Sequence, residues 1–265
     1  MTQPTVLPWR RRRPRDTSGF LSPAVRNLAR DLGLDPATVA QRDVVVPFDN
    51  VRRRTAAGLV ASKQTAAHAL TIVAADYSAV EAARRAAGLT GLAFVGRAVV
   101  DALREFPFMN ATSEDGETLI VHRAVHLGIA VDLDFHGLVV PVVHDADGLR
   151  LRALADAIRD LARRARARQL GPDDLAGGTF TVTNPGASGT WVSFPVINRP
   201  QVGILATDGV SKQVVADASG RLRIAPVGHL CCSFDHRALD GAYAAAFLRR
   251  VQTIVETRDW GTELG

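Results

Sequence analysis

Two kinds of hydrophobic periodicity along the chain predict a mixed α/β domain. Residues 68–76 read HALTIVAAD and place Leu70, Ile72 and Ala74 on one face, which is the two-residue period of a strand. Residues 151–161 carry leucine or isoleucine at every third or fourth position, which is the period of an amphipathic helix. The chain has 265 residues, of which 47% are hydrophobic, and this is enough for one large domain with a small appendage.

The beginning of the chain differs in composition from the rest and divides into two parts. Residues 1–20 combine prolines with arginines and lack an apolar run, which predicts a disordered basic tail. Residues 21–41 predict a small helical unit, because Ser22 suits the N-cap, Pro23 the first helical position and Gly33 the end of the helix. A unit of about 20 residues is too small to fold alone.

The main domain is predicted to span residues 44–265. Turn-forming residues at 135–137 separate two of its strands, and Ser78 with Glu81 forms a capping-box signature for one of its helices. The helices are predicted to begin near Asn50, Ser78, Leu92, Leu151 and Asp240. The predicted strands are residues 68–76, 118–122, 126–134, 138–143, 179–183, 202–206 and 229–234.

Charge and composition restrict the partners that this chain can have. The formal net charge is +5, and Lys63 and Lys212 are the only lysines, so arginine supplies nearly all of the positive charge. No nucleic-acid reader motif accompanies the arginines, and aromatic residues make up only 6% of the chain, so we predict no nucleic-acid partner. A solvated helix face and a disordered tail account for the arginines, with docking of an anionic group or a protein partner as the alternative.

Apolar stretches and cysteines indicate where the protein is found. No apolar stretch reaches the roughly 18 to 20 residues of a membrane span. The basic N-terminus has no apolar run behind it, as a secretory signal would. Cys231 and Cys232 are adjacent, a spacing that rarely forms a disulfide, which fits a reducing compartment. We therefore predict a cytoplasmic protein that does not contact a membrane.

Residues 233–241, SFDHRALDG, place a histidine at the end of a predicted strand. Its reference pKa near 6.5 allows His236 to take a proton from an attacking nucleophile at neutral pH. Asp240 can orient the local structure or hold a cation, and Gly241 permits close approach of the backbone. On its own, this pattern is more often that of a structural histidine.

A metal site is another interpretation of the same region, because His229, Cys231, Cys232 and His236 lie close together in the sequence. Side chains alternate between the two faces of a strand, so Cys232 points away from His229 and Cys231. These three side chains cannot converge on one ion unless the strand is distorted. We therefore predict no metal site.

A second segment, residues 177–186, reads GGTFTVTNPG, and alone its alternating threonines are ordinary for a strand. Taken with other segments in the same order, it resembles the catalytic domain of the dihydrolipoyl acyltransferases. That family forms the acyl-transferring core of 2-oxoacid dehydrogenase complexes and shares its fold with chloramphenicol acetyltransferase. The segments that carry the resemblance, from about residue 44 to 260, are VPFDNVRRRTAAGLVASKQTAAHAL, LREFPFMNA, LGIAVDLDFHGLVVPVVHDADGL, GGTFTVTNPG, PVINRPQVGIL and SFDHRALDG.

The resemblance implies a chloramphenicol-acetyltransferase-like mixed sheet flanked by helices, in a homotrimer or higher multiple with active sites between subunits. It implies that His236 is the base that deprotonates the incoming thiol or hydroxyl, and that the hydroxyl of Thr183 stabilises the oxyanion. Asp240 matches an aspartate held in a salt bridge, for which Arg52 is the expected partner. The residues expected to support the site structurally are Arg52, Gly241 and Asn184. The acyl group passes directly from donor to acceptor, with no acyl-enzyme.

Two features depart from the dehydrogenase complexes. Residues 21–41 resemble only the start of the peripheral-subunit-binding module. A lipoyl domain needs a lysine at an exposed hairpin tip, whereas Lys63 and Lys212 both lie in segments that match the catalytic domain. We therefore expect no lipoyl attachment, and a free-standing acyltransferase that uses acetyl-CoA or another short acyl-CoA as its substrate.

The expected acceptor is a small-molecule or carrier-bound hydroxyl, as in tetronate O-acetylation during natural-product biosynthesis. The alternative is a core subunit of a 2-oxoacid dehydrogenase complex. A third hypothesis, a scaffold that has lost catalysis, is disfavoured because His236, Asp240 and Thr183 are all present.

Overall fold

The computed structural model describes residues 22–36, 47–217 and 219–264. Two units, Met1–Phe48 and Asp49–Gly265, divide the chain.

In the first unit, helix α1 spans Pro23–Leu32. Ser22 Oγ accepts the Val25 N–H at 3.3 Å, and Gly33 ends the helix with a φ of 63°, a left-handed conformation that glycine adopts without strain. The capping residues therefore predicted this helix correctly. The predicted tail lies outside the described residues, as do residues 37–46, so the predicted domain boundaries stay predictions.

A seven-stranded mixed sheet forms the centre of the second unit. The strands of this unit are β1 (His68–Asp76), β2 (Ala111–Thr112), β3 (Ile120–Val121), β4 (Leu127–Ile129), β5 (Val131–Asp132), β6 (Leu138–Val139), β7 (Val142–Val143), β8 (Phe180–Thr183), β9 (Gly203–Thr207), β10 (Ser211–Ala216) and β11 (Leu222–Asp235). The order in the large sheet is β1–β11–β9–β8–β4–β7, and β10 pairs with β11. β8 is parallel to β4 and β9, and the other pairs are antiparallel.

The helices of this unit differ in burial: the first is largely exposed, with Ser62 as its only buried residue, whereas the others pack against the core. The helices are α2 (Asn50–Thr65), α3 (Ser78–Ala87), α4 (Gly91–Glu105), α5 (Leu151–Arg166), α6 (Gly241–Thr257) and α7 (Trp260–Leu264). α6 contacts β1, and α4 contacts both α5 and α6. Phe94, Phe180 and Phe247 are fully buried among these elements. In the described part of the chain, no helix is both long enough and apolar enough to cross a membrane.

β1 has the predicted bounds, and its two faces differ in exposure. Val73 and Ala75 pack into the core, whereas Ile72 on the opposite face is 41% exposed. Small residues on the inner face let α6 approach β1 closely, and the Gln252 side chain on α6 reaches the Ala74 carbonyl oxygen at 2.7 Å. The alternation predicted the strand, but neighbouring elements decide which face is buried.

β11 has 14 residues, whereas the sequence predicted only residues 229–234. Its first half forms a hairpin with β10 that leaves Leu222 and Ile224 more than 70% exposed. Such a ribbon lacks the alternation of buried and exposed residues on which the prediction depended. The single predicted strand 126–134 is likewise divided into β4 and β5.

The predicted capping box at the start of α3 was wrong. Tyr77 occupies the N-cap position, and no side chain caps the helix there. The Ser78 hydroxyl and N–H both donate to Asp76 Oδ1, while Glu81 pairs with Arg84. The carboxylate at the end of β1 therefore binds both the N–H and the hydroxyl of Ser78, and Ser78 does not cap the helix.

A charged network joins α4 to the C-terminal end of the second unit. Arg97, which is 5% exposed, pairs with Asp101 one turn later on α4. Asp101 Oδ2 also accepts from Arg258 Nη1 at 2.5 Å, and Arg258 lies 3.3 Å from Glu263. Removing the shared carboxylate would leave a buried guanidinium without its countercharge.

We expect Asp101→Asn to lower the free energy of unfolding by about 3 kcal/mol, because the buried Arg97 guanidinium loses its countercharge. For a domain of this size, the melting temperature should fall by about 6–12 °C in a thermal unfolding experiment. Glu105→Gln is the matched control on the same helix, since Glu105 pairs with Arg250 at an exposed site. Glu105→Gln should lower the free energy of unfolding by less than about 1 kcal/mol.

The same substitution should have a pH-dependent effect. Burial alone would raise the pKa of Asp101, but the hydrogen bonds and charges of Arg97 and Arg258 hold it below its ordinary value of 3.8. A carboxyl group with a lowered folded pKa stabilises the protein above its unfolded pKa and loses that contribution as the pH falls through the folded value. The stability difference should persist near neutral pH and shrink below about pH 4. A difference of the same size in strong acid would contradict this assignment.

Candidate active site

A cleft of about 760 Å³ lies between α2 and the end of β8. Leu59, Val140, Ile197 and Ile204 are among the apolar residues of its wall. Its size and mostly apolar wall with few polar groups are typical of small-molecule and cofactor sites. The polar side chains that line it are Arg54, Thr55, Glu114, Thr181, Thr183, Ser193, Asn198 and Arg199.

The threonines of β8 face this cleft, whereas Phe180 and Val182 face the core. Thr181 Oγ1 donates to Gln201 Oε1 at 2.6 Å and is fully buried. Thr183 is half-buried, and its hydroxyl has no hydrogen-bond partner within the described residues. Its hydroxyl is therefore available to a molecule in the cleft.

One wall of the cleft is held in place through the backbone of Ile197. The Ile197 N–H donates to His68 Nε2 at 3.1 Å, and the Ser62 hydroxyl donates to the Ile197 carbonyl oxygen at 2.7 Å. Burial lowers the pKa of His68, which keeps the ring neutral so that Nε2 can accept this bond. No pattern in the sequence indicated this role for His68 or Ser62.

His236 follows the last residue of β11 and is exposed. Its N–H donates to the Ala67 carbonyl oxygen at 2.9 Å, which continues the β1–β11 ladder by one bond. Asp235, beside it, is buried and accepts from the Ala67 N–H and from Arg237. Burial alone would raise the pKa of Asp235, but these hydrogen bonds lower it, so the carboxylate stays charged and fixes the backbone at His236.

The sheet register separates Thr183 from His236 within one chain. Thr183 on β8 and Cys231 on β11 both pair with Ala206 on the intervening strand β9. His236 lies five residues beyond Cys231, which corresponds to about 17 Å along the strand direction. Reacting groups must approach within about 3–3.5 Å of each other. One chain therefore does not bring these two side chains to the same reacting atom.

The predicted ion pair between Arg52 and Asp240 is not formed in the described chain. The Arg52 N–H donates to the capping Asp49 Oδ1 at 2.6 Å, which places Arg52 in the first turn of α2 with its side chain exposed. Asp240 occupies the N-cap position of α6, where a negative charge is favourable, but its exposed carboxylate makes no capping hydrogen bond. The predicted role of Arg52 is therefore not supported within one chain.

Asn184 follows Thr183 directly, and Gly241 lies five residues after His236. Asn184 is exposed and begins the turn Pro185–Ser188 that follows Thr183. Gly241 is the first residue of α6, and a Cβ atom added there would meet no atom within 4 Å. The space beside Gly241 is thus open within the chain, and the supporting role of this glycine stays a prediction.

The two cysteines are buried free thiols. Burial raises the pKa of Cys231 to about 11 and also raises that of Cys232, so both are protonated near neutral pH and poor nucleophiles. Within the described residues, no group of three histidine, cysteine or acidic side chains is arranged to hold a metal ion.

Sequence reasoning missed a buried carboxylate behind the cleft. Asp208 follows β9, is 3% exposed, and binds the loop that connects Thr183 to the cleft residue Ser193. An Asp-Gly pair after a strand is typical of a turn, so nothing in the sequence indicated that this side chain is buried.

Comparisons with known proteins agree with this fold. A family model described as 2-oxoacid dehydrogenases acyltransferase (catalytic domain) matches residues 40–260. The dihydrolipoyllysine-residue acetyltransferase component of the pyruvate dehydrogenase complex of Mycobacterium bovis is 42% identical, over 69% of this chain and 34% of the relative. The succinyltransferase component of the 2-oxoglutarate dehydrogenase complex of Bacillus subtilis is 35% identical, over 96% of this chain and 64% of the relative. The chain thus spans from a third to just under two thirds of these relatives.

Solved structures of the same kind are similar. A probable dihydrolipoamide acetyltransferase from Listeria monocytogenes has 34% identity and a TM-score of 0.75, covering 80% of this chain and 94% of that chain. The dihydrolipoamide acetyltransferase of Azotobacter vinelandii has 32% identity and a TM-score of 0.78, covering 84% and 95%. A chloramphenicol acetyltransferase, 12% identical over 81% of this chain and 100% of that chain, has a TM-score of 0.50, which shows the fold alone. The predicted fold class is confirmed.

These relatives overturn one expectation and establish the family. The curated relatives are named as components of 2-oxoacid dehydrogenase complexes, so the prediction of a free-standing natural-product acetyltransferase with a small-molecule or carrier-bound hydroxyl acceptor was wrong. The alternative, a dehydrogenase-complex acyltransferase, agrees better with them. The match over residues 40–260 and the identities of 35–42% mean that this chain belongs to the 2-oxoacid dehydrogenase acyltransferase family.

Proposed function

We propose that this chain transfers an acyl group between coenzyme A and a dihydrolipoyl group, as the acyltransferase of a 2-oxoacid dehydrogenase complex. The observation that carries the proposal is the family match over residues 40–260, together with relatives that are named dihydrolipoyllysine-residue or lipoamide acyltransferase components. Coenzyme A and the dihydrolipoyl group are both substrates, and the volume of the cleft beside β8, about 760 Å³, is in the range of small-molecule and cofactor sites.

His236 is the general base of the proposed reaction. It takes the proton of the attacking thiol while the sulfur bonds to the thioester carbonyl carbon. The tetrahedral intermediate then collapses, the bond from carbon to the departing sulfur breaks, and His236 returns the proton to that sulfur. The exposed ring at the end of β11 supports this role, because a substrate can reach it.

Thr183 donates its hydroxyl to the oxyanion of that intermediate. Support comes from its position in the cleft and from its lack of another partner in the described chain, so that the hydroxyl can turn toward a developing charge. A serine and a histidine were among the residues investigated for the catalytic mechanism of the Azotobacter relative. Threonine supplies the same kind of hydroxyl.

The site is shared between two copies of the chain, with His236 from one and Thr183 from the other. The separation of about 17 Å along the strands within one chain supports this arrangement. A similar structure, 30% identical with a TM-score of 0.77, is described as the cubic core of a pyruvate dehydrogenase multienzyme complex. We propose a homotrimer or a higher multiple, in which the exposed Asp240 supports the site beside His236.

Purified protein should release coenzyme A from acetyl-CoA when dihydrolipoamide is added, because the acceptor is a thiol. The release is followed with a thiol reagent, and S-acetyldihydrolipoamide is confirmed by mass spectrometry. A hydroxyl analogue of dihydrolipoamide is the matched acceptor and should react far more slowly. Succinyl-CoA and isobutyryl-CoA extend the test to other acyl groups. Failure of all three donors with dihydrolipoamide would contradict the proposal.

His236→Ala should lower kcat by about 10² to 10⁴-fold, which is the usual contribution of a positioned general base. The KM for the acyl donor should change little, since the ring acts on the thiol proton rather than on the donor. Steady-state kinetics with acetyl-CoA and dihydrolipoamide measure both values, and the melting temperature serves as the folding control. A folded variant with near-normal kcat would rule His236 out as the base.

Mixing two inactive variants tests the shared site. His236→Ala and Thr183→Ala proteins should each be inactive, Thr183→Ala by about 10²- to 10³-fold in kcat. Exchanged subunits place an intact histidine opposite an intact threonine, so activity should rise well above that of either variant alone. Thr183→Ser retains a hydroxyl and should stay active by itself. No recovery after proven subunit exchange would place both residues in the site of one subunit.

A further inference from the structure

The loop after Thr183 turns back to form part of the cleft. It contains the short turn Pro185–Ser188 and reaches Ser193, which lines the cleft together with Pro185. Thr183 is therefore followed directly by a segment without regular ladder bonds. Whatever fixes this segment also fixes the direction in which the end of β8 presents its hydroxyl.

A single buried carboxylate holds the far end of this loop. Asp208 Oδ1 accepts from the Thr190 hydroxyl at 2.7 Å and from the Ser193 hydroxyl at 2.6 Å. Asp208 Oδ2 accepts from the Ser193 N–H at 3.1 Å and from the Cys231 thiol at 3.3 Å. A carboxylate buried in this way is satisfied by four donors, three of which belong to the loop. Hydrogen bonds to a charged acceptor are about twice as strong as neutral ones.

The backbone around Asp208 provides a second attachment. The Gly209 N–H donates to the Thr190 carbonyl oxygen at 2.8 Å. Gly186 approaches so closely that a Cβ atom added to it would lie 2.4 Å from the Asp208 carbonyl carbon. Both the near and the far part of the loop are thus pressed against the end of β9, which runs parallel to β8.

We propose that Asp208 is a positioning residue for acyl transfer, which acts by holding the loop 184–193 so that Thr183 meets the oxyanion. This inference rests on the proposed function. Asp208 touches no reacting atom; it lies behind the loop and acts through Thr183 and the cleft wall at Ser193.

Asparagine can replace this carboxylate only with weaker, neutral hydrogen bonds. The amide nitrogen of asparagine is a donor and takes the place of one carboxylate oxygen. It would therefore face either the Ser193 N–H or the hydroxyls of Thr190 and Ser193. The hydroxyls can rotate to accept, but the backbone N–H cannot, and its fixed direction requires an acceptor. If the amide oxygen serves the Ser193 N–H, the nitrogen takes the place of Oδ1, and the hydroxyls must reverse their bonds. Asp208→Asn therefore weakens the loop without changing the volume of the side chain.

The experiment compares Asp208→Asn with Asp217→Asn, measured as kcat and KM for acetyl-CoA and dihydrolipoamide. Asp217 is a matched control, because its carboxylate also binds a loop serine through the N–H and the hydroxyl, in the β10–β11 turn. Asp208→Asn should lower kcat by about 10- to 100-fold, the usual effect of a small misplacement. KM for acetyl-CoA should stay within about twofold, and Asp217→Asn should leave both constants near wild type.

A double-mutant cycle separates positioning from a general loss of stability. In a Thr183→Ala background, Asp208→Asn should lower kcat by less than about a further threefold, because the threonine hydroxyl through which Asp208 acts is already absent. An equal loss in both backgrounds would overturn the proposal, as would a folded Asp208→Asn with wild-type kcat. If Asp208→Asn does not fold, Thr190→Val removes one of the same bonds and should lower kcat with the same dependence on Thr183.

Hydrogen exchange of the Ser193 amide provides a readout that does not need activity. Its protection should fall in Asp208→Asn and stay unchanged in Asp217→Asn. A wild-type protein inactive with all donors would refute the proposed function, whereas unchanged Ser193 protection in Asp208→Asn would refute the anchoring role by itself.

Discussion

The ladder that joins β8, β9 and β11 is the constraint on which the site depends. β9 pairs with β8 along one edge and with β11 along its other edge, so Ala206 has Thr183 and Cys231 as its two cross-strand neighbours. This register leaves the threonine at the carboxyl end of β8 and β9, while His236 lies beyond their amino ends. Strand rise is nearly constant, so no rotamer change closes a gap of about 17 Å. A second copy of the chain must therefore complete each site if both residues act on one carbonyl group.

Buried polar groups hold the walls of the cleft where the sheet provides no ladder bonds. His68 and Ser62 bind the two backbone polar groups of Ile197, and Asp208 binds three donors of the loop after Thr183. Unpaired buried polar groups are costly, so each of these contacts favours one conformation of its loop. The apolar core stabilises the domain, whereas these few hydrogen bonds determine the shape of the cleft.

Local patterns in the sequence were sufficient for much of the fold, whereas the roles of the site residues stay predictions. Helix and strand periods predicted α5 and β1, because α5 buries one face along its length and the side chains of β1 alternate between two faces of different exposure. The same patterns failed for the capping box at Ser78, where Asp76 takes the donors, and for the exposed half of β11. The order of several motifs, rather than any one of them, indicated His236 and Thr183. The acceptor was predicted wrongly, because a catalytic domain has the same residues whether or not it works in a complex.

By itself, the sequence determined which residue types are available: a histidine after a strand, a threonine before an Asn-Pro-Gly turn, and an aspartate at a helix start. Each of these features depends only on residues that are adjacent in the sequence. Only the tertiary structure decided that Thr183 and His236 lie at opposite ends of the sheet, that Arg52 does not reach Asp240, and that Asp208 is buried behind the cleft. Each of these depends on strand order and register, which join residues far apart in the chain and leave no periodic signal in its sequence.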